Sequence, residues 1–144
     1  MATCGRWPRC GENDPLESST QLALAPLLAL RAGLDYRAAG LAKNPDEMER
    51  AAVKAGQLLS QDPALIQARR VVLSDLMERH DLQGALKVVD AGLALDPKHR
   101  DLNNAKLVIL GQLEDKPAIE KQILSMVSLY PDDENVGRLL VGFY

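Results

Sequence analysis

Apolar and polar residues recur with the period of an α-helix along most of the chain. In NPDEMERAAVKAGQLLSQ, residues 44–61, apolar side chains return every three or four positions and share one helix stripe. Asn44 suits the cap before this helix and Pro45 its first turn, while Asp62 and Asp115 suit the caps of later helices. The pattern predicts an all-α fold with helices at residues 17–30, 32–43, 46–61, 64–79, 84–95, 99–113, 117–129 and 132–143.

The pattern also repeats at a fixed interval. Pro63, Pro97 and Pro131 are evenly spaced at a step of 34, and apolar columns keep the same step. Helices of this length, joined by turns of two to four residues, cannot each bury an apolar stripe alone. A period of this size therefore indicates antiparallel helix pairs stacked into an α-solenoid. We expect one such domain over residues 17–144.

Composition narrows the function classes. Apolar residues make up 47% of the 144 residues, charged residues 26%, and the formal net charge is −3. This balance argues against a nucleic-acid binder, which needs a basic surface. The run QLALAPLLAL, residues 21–30, is too short to cross a bilayer and contains a proline, so we predict no membrane insertion.

The first residues of the chain carry both cysteines. Cys4 and Cys10 lie outside any periodic segment, and two thiols without a nearby histidine cannot complete a zinc site. We predict free thiols in a disordered tail over residues 1–16, with a local disulfide as the alternative.

The stretch KHRDLNNAK, residues 98–106, resembles the H-R-D-L-x-x-x-N loop of protein kinases. Lys106 stands where that loop has asparagine, and no glycine-rich phosphate loop or D-F-G accompanies it. Its position after Pro97 predicts a helix start instead. No G-x-S-x-G motif is present, and His80 and His99 fall on separate connections. The sequence predicts no enzyme, no metal and no cofactor.

The repeat resembles a known family. HDLQGALKVVDAGLALDP, residues 80–97, places small residues at Ala85 and Gly92, a larger one at Val89 and a closing proline at Pro97. Together with the period of 34, this is similar to the tetratricopeptide repeat (TPR) family. The resemblance covers three repeats, residues 32–65, 66–99 and 100–133, and a last helix at 132–144. It implies a right-handed superhelix that serves as a protein-interaction scaffold or adaptor.

The resemblance also implies where a partner binds. In that family a peptide or partner helix lies on the concave face, lined by the first helix of each repeat. The family's groove positions fall on Gly33, Tyr36 and Gly40 in the first repeat, on Gln67, Arg70, Ser74 and Met77 in the second, on Asp101, Asn104, Val108 and Gln112 in the third, and on Asn135 and Arg138 in the last helix. Arg70, Ser74, Asn104 and Val108 do not reproduce the clamp that chaperone-binding members use for a terminal carboxylate. We expect Arg70 and Arg138 to be the charged contacts of the groove.

The last helix is apolar on more than one side. Such a strip is typical of an interface or of a helix whose neighbour is missing. As an alternative function, the chain is then an assembly piece of a longer repeat protein, or a homodimer, that associates through Leu139, Leu140, Val141, Phe143 and Tyr144. The partner's identity stays open, as does the compartment, whether cytoplasm or bacterial periplasm and envelope.

Overall fold

The computed structural model describes residues 15–144, with side chains from Ala23 onward. These residues form seven α-helices and no strand, as the all-α prediction expected. The helices are α1 (Pro15–Leu41), α2 (Pro45–Gln61), α3 (Ile66–Glu78), α4 (Leu82–Leu95), α5 (Arg100–Gln112), α6 (Lys116–Leu129) and α7 (Glu134–Phe143). Of the predicted tail, residues 1–14 lie outside the described part, and Pro15 and Leu16 belong to α1.

Two predictions about helix boundaries are wrong. Residues 15–41 form one continuous helix of 27 residues instead of two helices at 17–30 and 32–43, and Pro26 lies inside it. Pro26 removes one helical hydrogen bond. The buried residues Ala25, Ala29, Ala32, Tyr36 and Ala39 nevertheless keep helical spacing across the expected break, so packing holds the helix together.

The second wrong boundary concerns the cap of α3. The capping position belongs to Leu65, which makes no side-chain cap bond. Asp62 instead accepts a hydrogen bond from the backbone N–H of Ala64 at 3.0 Å, which tightens the turn before the helix.

The same turn joins both helices of each pair. Lys43, His80 and Glu114 have positive φ angles of 52°, 59° and 55°. Each is followed by a capping residue, namely Asn44, Asp81 and Asp115, whose side chain accepts a backbone N–H three residues later. Such short connections make the two helices of a pair antiparallel neighbours.

Packing follows the order of the chain. Each helix contacts the next, and α1 also contacts α3. One cluster of buried residues joins α1, α2 and the start of α3, and it consists mostly of alanines. A second cluster joins α3, α4 and α5 through larger residues, with Leu73, Val89, Leu102 and Ile109 at its centre. The alanines let α1 and α2 approach closely.

Two buried polar side chains repeat one contact at the same sequence step as the prolines. The Arg69 guanidinium donates to the carbonyl of Pro63 at 2.8 Å, and the Asn103 amide donates to the carbonyl of Pro97 at 3.0 Å. Each ties the first turn of α3 or α5 to the proline turn before it. Arg69 is buried, and its second hydrogen bond goes to the Val88 carbonyl at 2.6 Å. Burial lowers the pKa of Arg69 below its ordinary value.

The first helix pair departs from the register of the proline repeat. The turn residues Lys43 and His80 are 37 positions apart, whereas His80 and Glu114 are 34 apart. Helix α2 is correspondingly longer, with 17 residues against 14 in α4 and in α6. A residue of α1 therefore stands 37 positions before its equivalent on α3, which is three positions earlier than the proline step of 34 predicts.

Candidate functional site

Most of the predicted groove residues are exposed on three helices. Gln67 and Met77 on α3 are partly buried. The exposed residues are Arg70 and Ser74 on α3, Asp101, Asn104, Val108 and Gln112 on α5, and Asn135 and Arg138 on α7. We call the exposed surface of these eight residues the first-helix face.

An ion pair connects the first-helix face between α3 and α5. The Arg70 guanidinium pairs with the Asp101 carboxylate, and both side chains are about half exposed. On α7, Arg138 pairs with Glu134 at 3.5 Å within the same helix. The two arginines that we predicted as charged contacts therefore already have carboxylate partners. The positive charges of these two arginines are therefore largely cancelled by their carboxylate partners.

Arg100 and Tyr130 connect α5 to α7, and sequence reasoning missed both. The Arg100 guanidinium lies 2.6 Å from the Asp133 carboxylate and 4.9 Å from the centroid of the Tyr130 ring. Tyr130 donates to the Lys98 carbonyl at 2.7 Å and accepts from the Asn103 amide at 3.0 Å. The sequence did carry a signal, because Tyr130 is the only aromatic residue before one of the three evenly spaced prolines.

A small pocket of about 130 Å³ lies beside this connection. Its lining includes three of the predicted residues, Asn104, Asn135 and Leu139, together with Arg100 and Tyr130. The structure thus brings residues of the second-last and last repeat units together at one place. The amides and the guanidinium give the pocket a polar rim, while Leu139 adds an apolar wall.

Tyr36 is not on the first-helix face. It is only 8% exposed and belongs to the core, because the three-residue displacement of α1 turns it inward. Its hydroxyl is buried and makes no hydrogen bond within the described residues. Burial raises the pKa of Tyr36, and the nearby carboxylates of Asp75 and Glu78 raise it further, while Arg79 opposes them.

The same displacement brings other α1 residues outward. Leu30 and Arg37 are both exposed. They stand three positions before Gly33 and Gly40, the groove residues that the step of 34 predicted. Gly33 is partly buried, with the Val71 side chain 3.6 Å from where a Cβ would stand, whereas Gly40 is exposed near the end of α1. The α1 end of the molecule is rich in exposed leucine, with Leu24, Leu27, Leu28, Leu30, Leu34 and Leu41 all exposed.

Two depressions lie between α1 and α2, and neither contains a predicted site residue. Their volumes are about 850 and 300 Å³, and both are lined by Asp35 and Lys54. Both are open surface grooves of mixed charge, with Asp46, Glu49, Arg31 and Arg50 among the other lining residues.

The predicted association surface on α7 is exposed in part. Val141 is 78% and Tyr144 80% exposed, and Leu139 is less exposed. Leu140 and Phe143 are partly buried. The Tyr144 hydroxyl donates to the Glu120 carboxylate, and this hydrogen bond raises the pKa of Tyr144.

The described residues offer neither a metal cluster nor a membrane span. Among the side chains that the structure describes, from Ala23 onward, histidine, cysteine and carboxylate groups form no cluster of three that could hold a metal ion. Within the same part of the chain, no helix has both the length and the apolar character of a membrane span.

Residues 15–144 define an all-α protein whose helices pack in chain order. No protein-family model, curated protein or solved structure matches the chain.

Proposed function

We propose that this chain is a TPR-like helical-repeat adaptor that binds a peptide or a partner helix on the first-helix face. One observation carries the proposal. Arg70, Asn104 and Arg138 occupy equivalent positions of the repeat on α3, α5 and α7, and all three are exposed. Their chain neighbours Arg69 and Asn103 are buried and donate hydrogen bonds to the carbonyls of Pro63 and Pro97. One position of the repeat therefore stabilises the fold, and the next position is exposed to a partner.

The chemistry of the face defines the partner. Since Arg70 and Arg138 are already paired, net attraction for a strongly acidic peptide is small. Val108 lies on the middle helix and is 51% exposed. A short amphipathic segment, with an apolar side chain against Val108 and amide or hydroxyl groups towards Ser74 and Asn104, fits best. This chemistry involves binding alone, without catalysis.

A displayed library of random peptides tests the proposal. Peptides selected on the wild-type chain are measured again on Val108→Arg and on the control Val53→Arg. Val53 is an equally exposed valine, 55% accessible, but it lies on α2, away from this face. We expect Val108→Arg to weaken the selected peptides at least tenfold and Val53→Arg to leave their affinity unchanged. Equal affinities for all three proteins would refute the first-helix face as the site.

A second candidate function is assembly through α7. The exposed Val141 and Tyr144 favour it, because the equivalent residues Leu73 and Leu110, one or two repeat steps earlier, are buried against neighbouring helices. Under this proposal a helix from a longer chain or from a partner covers α7. Val141→Arg would then remove assembly and leave peptide binding intact.

A further inference from the structure

Helix α1 carries an exposed leucine stripe that the proposed function does not use. Leu27, Leu34 and Leu41 are 64%, 57% and 88% exposed and stand one heptad apart, with Leu30 between the first two. At 3.6 residues per turn they point away from the buried Ala25, Ala29 and Ala32. Apolar residues that recur every seven positions are typical of the contact line between two helices that run alongside each other.

The area of this stripe is large for a surface facing only water. Leu24 stands beside Leu27 and is also exposed. The five leucines together leave about 500 Å² of apolar side chain accessible, towards the upper end for the largest patch on a monomer. Two such surfaces in contact bury about 1,000 Å², which is about the smallest area of a specific protein interface.

We propose that α1 packs antiparallel against α1 of a second copy of this chain, with the two-fold axis beside Gly33. Each residue is then level with the one equally far from Gly33 on the other copy. Because each residue advances the helix by about 1.5 Å, Leu34 of one copy falls between Leu30 and Leu34 of the second. Leu27 falls between Ala38 and Leu41 of the second copy. The leucines interdigitate without competing for the same level.

Charge complementarity favours a second copy of this chain as the partner, and it favours antiparallel packing of the two α1 helices. Arg31 and Asp35 are exposed on one flank of the stripe and are 3.9 Å apart within one helix. In the antiparallel arrangement, Arg31 of each copy is level with Asp35 of the other, on the same flank. A two-fold interface must be self-complementary in this way. A parallel two-fold pair would instead place the charged flanks of the two copies on opposite sides of the seam, where Arg31 and Asp35 of different copies could not pair.

Helix α7 is a weaker candidate for a contact between two copies. It has 10 residues, and a helix of that length is about 15 Å long. Two such helices cannot bury the area that a stable dimer needs. Its variant Val141→Arg therefore serves as a control.

Light scattering at increasing concentration tests the proposal on the full chain. We expect the wild-type mass to rise to that of two chains and Leu34→Arg to stay at one chain. Val53→Arg and Val141→Arg should dimerise like the wild type. Circular dichroism of the exposed Leu34 variant should show unchanged helix content. A monomeric wild type, a dimeric Leu34→Arg, or loss of the dimer in Val141→Arg would each overturn the proposal.

Cysteine cross-linking tests the direction of packing. In a background of Cys4→Ser and Cys10→Ser, one chain carries Leu27→Cys and another carries Leu41→Cys. We expect oxidation of the mixture to yield the cross-link between the two variants, because these positions come within two residues of the same level. Leu27→Cys alone should not cross-link, since its two copies are about 18 Å apart along the helices. The reverse outcome would mean parallel helices and would overturn the antiparallel proposal.

Discussion

Replacement of Tyr36 by phenylalanine should stabilise the protein, although tyrosine is the residue that the fold buries. The Tyr36 ring belongs to the core of α1, α2 and α3, and only 8% of the residue is exposed. Its hydroxyl makes no hydrogen bond within the described residues. In the unfolded chain the same hydroxyl bonds to water, so folding leaves one polar group without a partner.

The magnitude follows from that missing partner. An unsatisfied buried hydroxyl costs about 1–3 kcal/mol, and Tyr36→Phe removes this cost while it keeps the ring contacts. We expect the free energy of unfolding to rise by about 1 kcal/mol, because the vacated oxygen site leaves a small void that offsets part of the gain. The midpoint of thermal unfolding should rise by about 3 °C.

Urea unfolding of matched variants measures the effect. Tyr130→Phe is the control, because its hydroxyl donates to the Lys98 carbonyl and accepts from Asn103. Loss of that hydroxyl removes one hydrogen bond from each group, while the Asn103 amide keeps its bonds to the Pro97 and His99 carbonyls, so Tyr130→Phe should cost about 0.5–1.5 kcal/mol. If Tyr36→Phe also destabilises the protein by more than about 1 kcal/mol, the Tyr36 hydroxyl has a partner and the reasoning is wrong.

The pH dependence of the same pair gives an independent check. The pKa of Tyr36 is raised above its ordinary value of 10.0, chiefly by burial. The folded state therefore holds the phenolic proton more tightly than the unfolded state. The stability this contributes is fully present below pH 10 and is lost as the pH rises through the folded pKa. The advantage of Tyr36→Phe over the wild type should grow above pH 10, and a constant difference would contradict the burial of the hydroxyl.

Two further predictions concern the packing of the repeat units. A Cβ on Gly92 would stand 2.7 Å from the side chains of Arg69 and Leu102, so Gly92→Ala should lower the free energy of unfolding in urea by about 1–3 kcal/mol. The control is Gly56→Ala, where no atom lies within 4 Å of the new Cβ, and it should be neutral or stabilise the protein by up to about 1 kcal/mol. Asn103→Leu should cost about 2 kcal/mol, because the Gln122 amide loses its 3.0 Å bond to the Asn103 side chain and keeps only the 3.4 Å contact to the Asn103 backbone carbonyl. The double variant with Gln122→Leu should recover part of the loss in a double-mutant cycle. Equal stability of both glycine variants, or strictly additive losses in the cycle, would contradict this packing.

The local parts of the fold were predictable because their causes are local. Asn44 and Asp115 cap helices as predicted, since a short polar side chain satisfies the backbone N–H groups beside it. The stretch H-R-D-L also starts a helix as predicted, with Arg100 as the first residue of α5. Pro26 misled us, because the strain of a proline is local but the packing that overrides it comes from α2 and α3.

The displacement of α1 was readable in the sequence but was not used. Asn44, Asp81 and Asp115 each follow a residue with positive φ, and their spacings are 37 and 34. The prolines alone gave an even step, and this even step placed Tyr36 outside when it lies inside. Alignment on the capping residues would have moved the choice to Leu30 and Arg37, because a turn fixes the phase of both helices that it joins.

The pairing of charges could not be read from the sequence. Arg70 and Asp101 lie on different repeat units, and they meet only because α4 returns the chain to the side of α3. The buried Arg69, one residue earlier, looks the same in the sequence but reaches the carbonyls of Pro63 and Val88. Arg69 and Arg70 thus point about 100° apart around α3. This rotation buries Arg69, which stabilises the fold, and leaves Arg70 exposed to a partner. Any test of binding on α3 must therefore change Arg70 and leave Arg69 intact, because loss of Arg69 would disturb the fold that presents the face.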